Sequence, residues 1–290
     1  MRKQDQKNSG ALVICANKSY ALEEFSKEII IEGLKTSGII LLKNFNTSID
    51  SFSKLIDRTS KRITIDPARN YTSEKTQLVD AGTDALGLHI ENGNTPFLPD
   101  CLWFFCEIAA QKGSQTTYCD GKNVWGDLSV KSCDIFKNKK IKYQRNIPEK
   151  MWKKYLSAEL GLDTVTEEHL VMVENTVPGL TVKLNDDKSI WAAYSISAIH
   201  VDPFSGENYF TNSLLGPSYN YEKPIITFED NSIIPEDVWN EVTEISDYHT
   251  KDIAWESGDI AIINNKRIMH GRRSIMDINR KIHVAMSYLA

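Results

Sequence analysis

The residues of this chain best suited to chemistry lie in Gly87-Leu88-His89-Ile90-Glu91-Asn92 and, far along the sequence, in Met269-His270-Gly271-Arg272. One residue separates His89 from Glu91. On an extended strand, residues i and i+2 face the same way, roughly 7 Å apart, so an imidazole and a carboxylate can converge on one metal ion. His270 can complete the set. Two imidazoles and one carboxylate on one face of a metal, with the other positions open, suit Fe(II). The open positions would admit a co-substrate and dioxygen. His-x-Glu alone is a weak signal, because a solvated strand edge can carry the same letters. The elements around it have to decide.

The chain has 290 residues, 41% hydrophobic and 25% charged, enough for one large domain with a substantial core. A net charge of −5 gives no basis for general affinity toward nucleic acid or anionic membranes. No apolar run approaches the roughly 18 residues of a membrane span. The run from Ala11 to Ala16 is too short for a signal peptide, so a cytoplasmic location is expected. Five cysteines, Cys15, Cys101, Cys106, Cys119 and Cys133, form no Cys-x-x-Cys pair. They are expected as reduced, mostly buried thiols rather than disulfides or a zinc site.

Residues 1–10 are polar and expected to be disordered. A first strand is expected over Ala11–Cys15, then a helix over Ser19–Lys35 with Ser19 as its cap, stopped by Gly38. Ile39–Leu42 reads as a buried strand and Ile49–Thr59 as an amphipathic helix with Phe52, Leu55 and Ile56 inward. Residues 61–86 are polar loop with a short strand, and with the loop after Glu91 they form a candidate lid. Cys101–Cys106 is the strongest strand signal, continuous and aromatic-rich. Trp103, Phe104 and Phe105 are expected to fill the core and wall the site. Thr116–Asp120 is a further strand. From Asn123 the chain turns helical and basic, with its lysines on a solvated face. Ile141–Arg145 alternates like an edge strand. Helices over Met151–Leu160 and Glu167–Asn175 follow, then short strands near Leu180, Ile190, Ile199 and Tyr209. A helix over Pro235–Ser246, a strand over Ile260–Ile263, a turn at Asn264-Asn265 and a strand over Ile282–Leu289 complete the chain. The pattern predicts a mostly β protein with flanking helices, a sandwich or jelly roll. It predicts one domain over 11–290, with a mainly helical insertion over about 121–176.

Several of these segments occur in an order that resembles the taurine dioxygenase (TauD/TfdA)-like family of Fe(II)- and 2-oxoglutarate-dependent oxygenases, in its clavaminate-synthase-like, amino-acid-hydroxylating branch. The segments are Leu88-His89-Ile90-Glu91, Pro99–Cys106, Gly113-Ser114-Gln115-Thr116-Thr117, Val201–Glu207 with Phe210 and Asn212, Trp255–Ile260, His270-Gly271-Arg272 and Arg280–Met286. The resemblance covers roughly Ile39 to Tyr288. It implies a double-stranded β-helix and iron held by His89, Glu91 and His270. It also implies that 2-oxoglutarate chelates that iron, with dioxygen as the second co-substrate. Arg280 matches the arginine that meets the far carboxylate of 2-oxoglutarate, and Thr116 matches a threonine that assists. Arg272 is a further candidate for co-substrate contact, and Asn92 for substrate contact.

Glu91 stands where many relatives have aspartate, and it argues against halogenation, which replaces the metal carboxylate with a small residue. Ser114-Gln115 stands where relatives often show Gly-Glu. Some branches carry the 2-oxoglutarate arginine four residues later, where this chain has Val284, so the role falls to Arg280. The resemblance implies hydroxylation of an unactivated C–H bond in an amino-acid-like or amino-acid-derived small molecule of specialised metabolism, free or tethered to a carrier protein. Succinate and CO2 would be released. Desaturation or ring closure at the same site, a metal hydrolase or other oxygenase working without 2-oxoglutarate, and a non-catalytic metal-binding sensor are the alternatives. His169, His200, His249 and His283 lack partner spacing and are expected to be structural or exposed.

Overall fold

Cys101–Cys106, the first six residues of the strand Cys101–Ile108, are buried on both faces, and this dictates the strand's place at the centre of the molecule. In the computed structural model, which describes residues 3–5, 10–16, 21–69, 71, 76–79, 82–217 and 222–289, it lies in an eight-stranded sheet. The order is Lys3–Asp5, Leu12–Cys15, Ile39–Lys43, Ile260–Asn264, Cys101–Ile108, Lys281–Tyr288 and Arg62–Thr64, with Gln77–Leu78 also on Lys281–Tyr288. A second sheet runs Lys251–Ile253, Thr116–Asp120, Ile268–Arg272, Leu86–His89. Among the described residues every strand pairing is antiparallel except Leu12–Cys15 with Ile39–Lys43.

Alternation along Cys101–Ile108 assigns its side chains. Leu102, Phe104 and Cys106 point between the two sheets, where they meet Tyr118, Ile253, Ile263 and Ile268. Cys101, Trp103 and Phe105 point the other way, onto two helices through Ile30, Leu34, Phe52, Leu55 and Ile56. The two faces need different covers, sheet on one and helix on the other, and this produces the flanking-helix jelly roll. Trp103 is fully buried, and its indole N–H donates to Ser287 Oγ at 2.8 Å.

The second of those helices is Ile49–Thr59, as expected. Ser48 closes a capping box with Ser51. The first is shorter than its pattern predicts, because Ser26 caps it through Ile29 N–H. A 3-10 turn over Leu22–Glu24 precedes the helix, which covers Lys27–Ser37. Gly38, at φ 74°, ends it. The expected cap Ser19 lies outside the described residues. Within the stretch expected as disordered, Lys3–Asp5 pair with Leu12–Cys15.

Helices Gly121–Asp127, Val130–Asn138, Glu149–Leu160 and Glu167–Thr176 flank the strand Ile141–Ile147. That strand is no edge. It is bracketed by Ile190–Ile196 on one side and Ile225–Phe228 on the other, in a four-stranded sheet closed by Leu180–Leu184. Its alternation reflects one face packed on helices through Ile141 and Tyr143. The lysines of the preceding helices are solvated, with Lys131 on Asp237 and Lys139 on Asp230. The five cysteines are free thiols. No helix among the described residues is long and apolar enough to cross a membrane.

Candidate active site

The two histidines meet by strand register. His270 is the direct antiparallel partner of His89, and directly opposed residues bring their Cβ atoms within about 5.5 Å. Their rings lie 4.3 Å apart, centre to centre, and Phe104 stands edge-on to His270 at 5.7 Å. The strand ends at His89, so Glu91 does not project from an extended strand as the spacing predicts. It opens a turn over 91–94, and Asn265 holds its backbone. The Asn265 Oδ1 accepts from Glu91 N–H at 2.9 Å, and Nδ2 donates to Glu91 O at 3.0 Å and Pro99 O at 3.1 Å. The donor atoms of His89, Glu91 and His270 all lie within 4.8 Å of one another, and all three residues are buried.

Replacing Asn265 with Ala should lower the melting temperature by the equivalent of about 1–3 kcal/mol, because buried backbone partners are orphaned. It should also weaken Fe(II) binding about 10–100-fold, the usual effect of losing a group that orients a ligand. Thermal melts and metal titration read the two effects separately.

Close backbone approach fixes the His89 strand from its far side. A Cβ on Gly87 would fall 2.2 Å from the carbonyl oxygen of Leu215, and one on Gly216 would fall 2.0 Å from Gly87 O. Gly87→Val is expected to cost more than about 2 kcal/mol of stability, since backbone must move, and a denaturant midpoint measures it.

The electrostatics favour metal ligation. His89 Nδ1 lies 2.8 Å from Gly87 O. A proton there leaves Nε2 to the ligand face. Burial, with His270 adding to it, pushes His89 down to about 4, so its imidazole is neutral at pH 7. Burial opposes ionisation of Glu91. The Arg69 guanidinium and the two histidines outweigh it and hold the carboxyl well below its ordinary value. Arg69 Nη2 donates to Glu91 Oε1 at 2.8 Å, and its Nε pairs with Asp66 at 3.3 Å. His270 Nε2 is 3.5 Å from that same Oε1.

A pocket beside the triad brings together Arg69, Phe104, Thr116, Arg272 and Arg280. Arg280 Nη1 is buried without a partner among the described residues. Burial, then the neighbouring Arg272, pull its pKa down to about 10. Three guanidiniums and one carboxylate line this pocket, and such a site favours an anion. The Thr116 hydroxyl oxygen accepts from Trp255 Nε1 at 2.9 Å, which leaves its proton to donate. Arg272 donates to Gly82 O at 3.1 Å and Asp84 O at 2.6 Å, so it holds the neighbouring loop. Ser114 Oγ accepts from Met276 and Asp277 N–H at 2.9 and 3.2 Å and fixes the approach to Arg280. Val284 is fully buried in the sandwich core. The donor set fits Fe(II), and the orphaned guanidinium nitrogen fits the far carboxylate of 2-oxoglutarate.

The sequence does not disclose Arg69, and it gives no site role to Asn265 or to Trp255, which stands in one of the motif segments. Asn265 sat in a turn marked only as a turn, and Arg69 in a polar loop whose path carries no periodicity. None of the other four histidines joins this cluster: His169 Nδ1 accepts from Thr166 N–H, His249 pairs with Asp127 and His283 with Glu107, while His200 is on the strand Ile199–Val201. Asn92 lines a second, larger pocket that opens from His89 and Glu91 toward the helices at 149–176.

Comparison with known proteins agrees with this geometry. A dapdiamide synthesis protein, DdaC of Enterobacter agglomerans, is 23% identical over 304 aligned positions, covering 95% of this chain and 90% of DdaC. The crystal structure of PvcB from Pseudomonas aeruginosa superposes with a TM-score of 0.64 at 11% identity, covering 97% of this chain and 86% of that one. A taurine dioxygenase from Burkholderia xenovorans gives 0.63 at 11% identity, with the same coverages. At such identities the structural likeness speaks for the jelly-roll fold alone. The sequence profile of the family described as taurine catabolism dioxygenase TauD, TfdA matches residues 9–286, nearly the whole chain, and this protein belongs to that family of Fe(II)- and 2-oxoglutarate-dependent dioxygenases.

Proposed function

We propose that this enzyme oxidises, by hydroxylation, an unactivated C–H bond of an amino-acid-like or amino-acid-derived small molecule, free or carrier-tethered. His89, Glu91 and His270 hold the iron, and Arg280 with Thr116 holds 2-oxoglutarate. The observation that carries this reading is the join between two pockets. The three ligand side chains face a cationic pocket containing Arg280, while His89 and Glu91 also form the floor of the larger, mainly apolar pocket. One side receives a dianion and the other an organic body, with the metal position between them.

Bound iron and 2-oxoglutarate supply the oxidising chemistry, and 2-oxoglutarate leaves as succinate and CO2. The chain's own residues position and shield. Arg280 offers a planar fork to a carboxylate, and Thr116 adds one hydroxyl donor. Phe104 and the His89–His270 strand pair fix the ligand face. Apolar residues of the larger pocket exclude water around the reacting carbon. Dapdiamide synthesis in the DdaC name supports a role in making a specialised small molecule.

The test is Fe(II)-dependent succinate release across a panel of amino acids and amino-acid derivatives. Stimulation by some member, accompanied by product one oxygen atom heavier, is expected. Product two hydrogens lighter would favour desaturation or ring closure instead. Absence of any iron-dependent turnover across the panel would favour the sensor reading.

A further inference from the structure

The turn that begins at Glu91 also carries two amide groups toward the larger pocket. Asn94 is 8% exposed, and its Oδ1 accepts from Arg145 Nη2 at 3.0 Å. That bond fixes the amide's orientation, because a flip would set two donors against each other. The Nδ2 of Asn94 is therefore a donor, and it is buried with no partner among the described residues. Asn92, at a left-handed φ of 57°, buries its Nδ2 in the same unpartnered way. Arg145, 4% exposed, reaches the pocket from the strand Ile141–Ile147. Native proteins rarely leave buried donors unsatisfied, and the two orphaned amide nitrogens, of Asn92 and Asn94, line one cavity. The facing wall is apolar, formed by Trp152, Leu156, Leu170 and Val173.

A planar guanidinium reinforced by amide N–H groups takes a carboxylate better than any neutral group, since the bonds are charge-assisted and two can form in parallel. We propose that Arg145 and Asn94, assisted by Asn92, bind a free carboxylate of the substrate. The substrate is then an apolar, amino-acid-like carboxylic acid whose acid group is anchored three residues from Glu91. The apolar body lies along Trp152 and Leu156. This rests on the functional reading above and narrows it. A substrate whose only carboxyl is tied up as a carrier thioester is excluded.

The experiment uses the full chain loaded anaerobically with Fe(II) and 2-oxoglutarate. L-Valine, L-leucine, L-phenylalanine and their N-acetyl forms are titrated by calorimetry and thermal shift, each against its primary carboxamide. At least one acid should bind at least tenfold more tightly than its amide. That preference should vanish in Arg145→Gln. It should also vanish in Asn94→Asp, which keeps the contact to Arg145 but replaces the orphan donor with a repelling oxygen, and which serves should Arg145→Gln not fold. Equal binding of acids and amides, no binding by any acid, or a preference that survives Asn94→Asp would each overturn the proposal. Binding of 2-oxoglutarate to the wild type separates the two readings. Its absence sinks the dioxygenase assignment of these residues, whereas its presence with no acid preference sinks only the carboxylate anchor.

Discussion

His270→Ala should abolish the weak visible absorbance that Fe(II) and 2-oxoglutarate give together under anaerobic conditions, while the wild type shows it. The loss should exceed the roughly 10–100-fold weakening typical of removing a supporting partner, because one of only three protein ligands is gone. The fold should survive. His270 is 3% exposed and packs on His89 and Phe104, so truncation opens a cavity worth about 1–3 kcal/mol. The strand pairs on both sides, to Leu86–His89 and Thr116–Asp120, depend on backbone and remain. Circular dichroism melts beside the titration tell lost ligation from lost folding. An undiminished absorbance in His270→Ala would remove the histidine from the ligand set.

Arg280→Ala should split two quantities that usually move together. Affinity for 2-oxoglutarate should fall tenfold or more, since a charge-assisted hydrogen bond contributes about 1.5–3 kcal/mol and about 1.4 kcal/mol is a factor of ten. Stability of the ligand-free protein should not fall. The folded-state pKa of this guanidinium is depressed to about 10 by burial and by Arg272. A cation with a depressed pKa opposes folding throughout neutral pH, and that cost is relieved only as pH rises through and beyond about 10. Removing the charge therefore removes a penalty along with some packing. Arg272→Ala should behave differently, because its side chain ties down the carbonyls of Gly82 and Asp84. A melting temperature lowered in Arg280→Ala, with 2-oxoglutarate affinity intact, would assign Arg280 to structure alone.

The convergence of His89, Glu91 and His270 was legible because these residue types are rare in such a combination. Even so, the geometry arose differently from the one the spacing suggests. His89 and His270 meet through register, while Glu91 depends on Asn265, 174 positions along the chain. Long-range side-chain bonds leave no periodic trace, so Arg69 is invisible in the sequence, Asn265 shows only as a turn residue and Trp255 only as part of a motif. Cys101–Cys106 was legible because burial on both faces requires an unbroken apolar run. Ile141–Ile147 misled for the opposite reason. Polar alternation marks a strand with one dry face, and it does not say whether neighbours pair on one side or both. Arg145 could be read as an edge charge until Ile190–Ile196 and Ile225–Phe228 were seen to flank it.

The two pockets draw on separate stretches of polypeptide. Apart from Asp66, Pro67 and the turn at 89–96, the larger pocket is lined entirely by residues between Tyr143 and Ser213, none of which lines the cationic pocket. Reactivity and selectivity are thereby carried largely by different segments of the chain, joined at His89 and Glu91. Exchange of the 141–213 region between homologues should retarget such an enzyme while its oxidative core is inherited unchanged. Directed evolution toward new molecules has its natural library there.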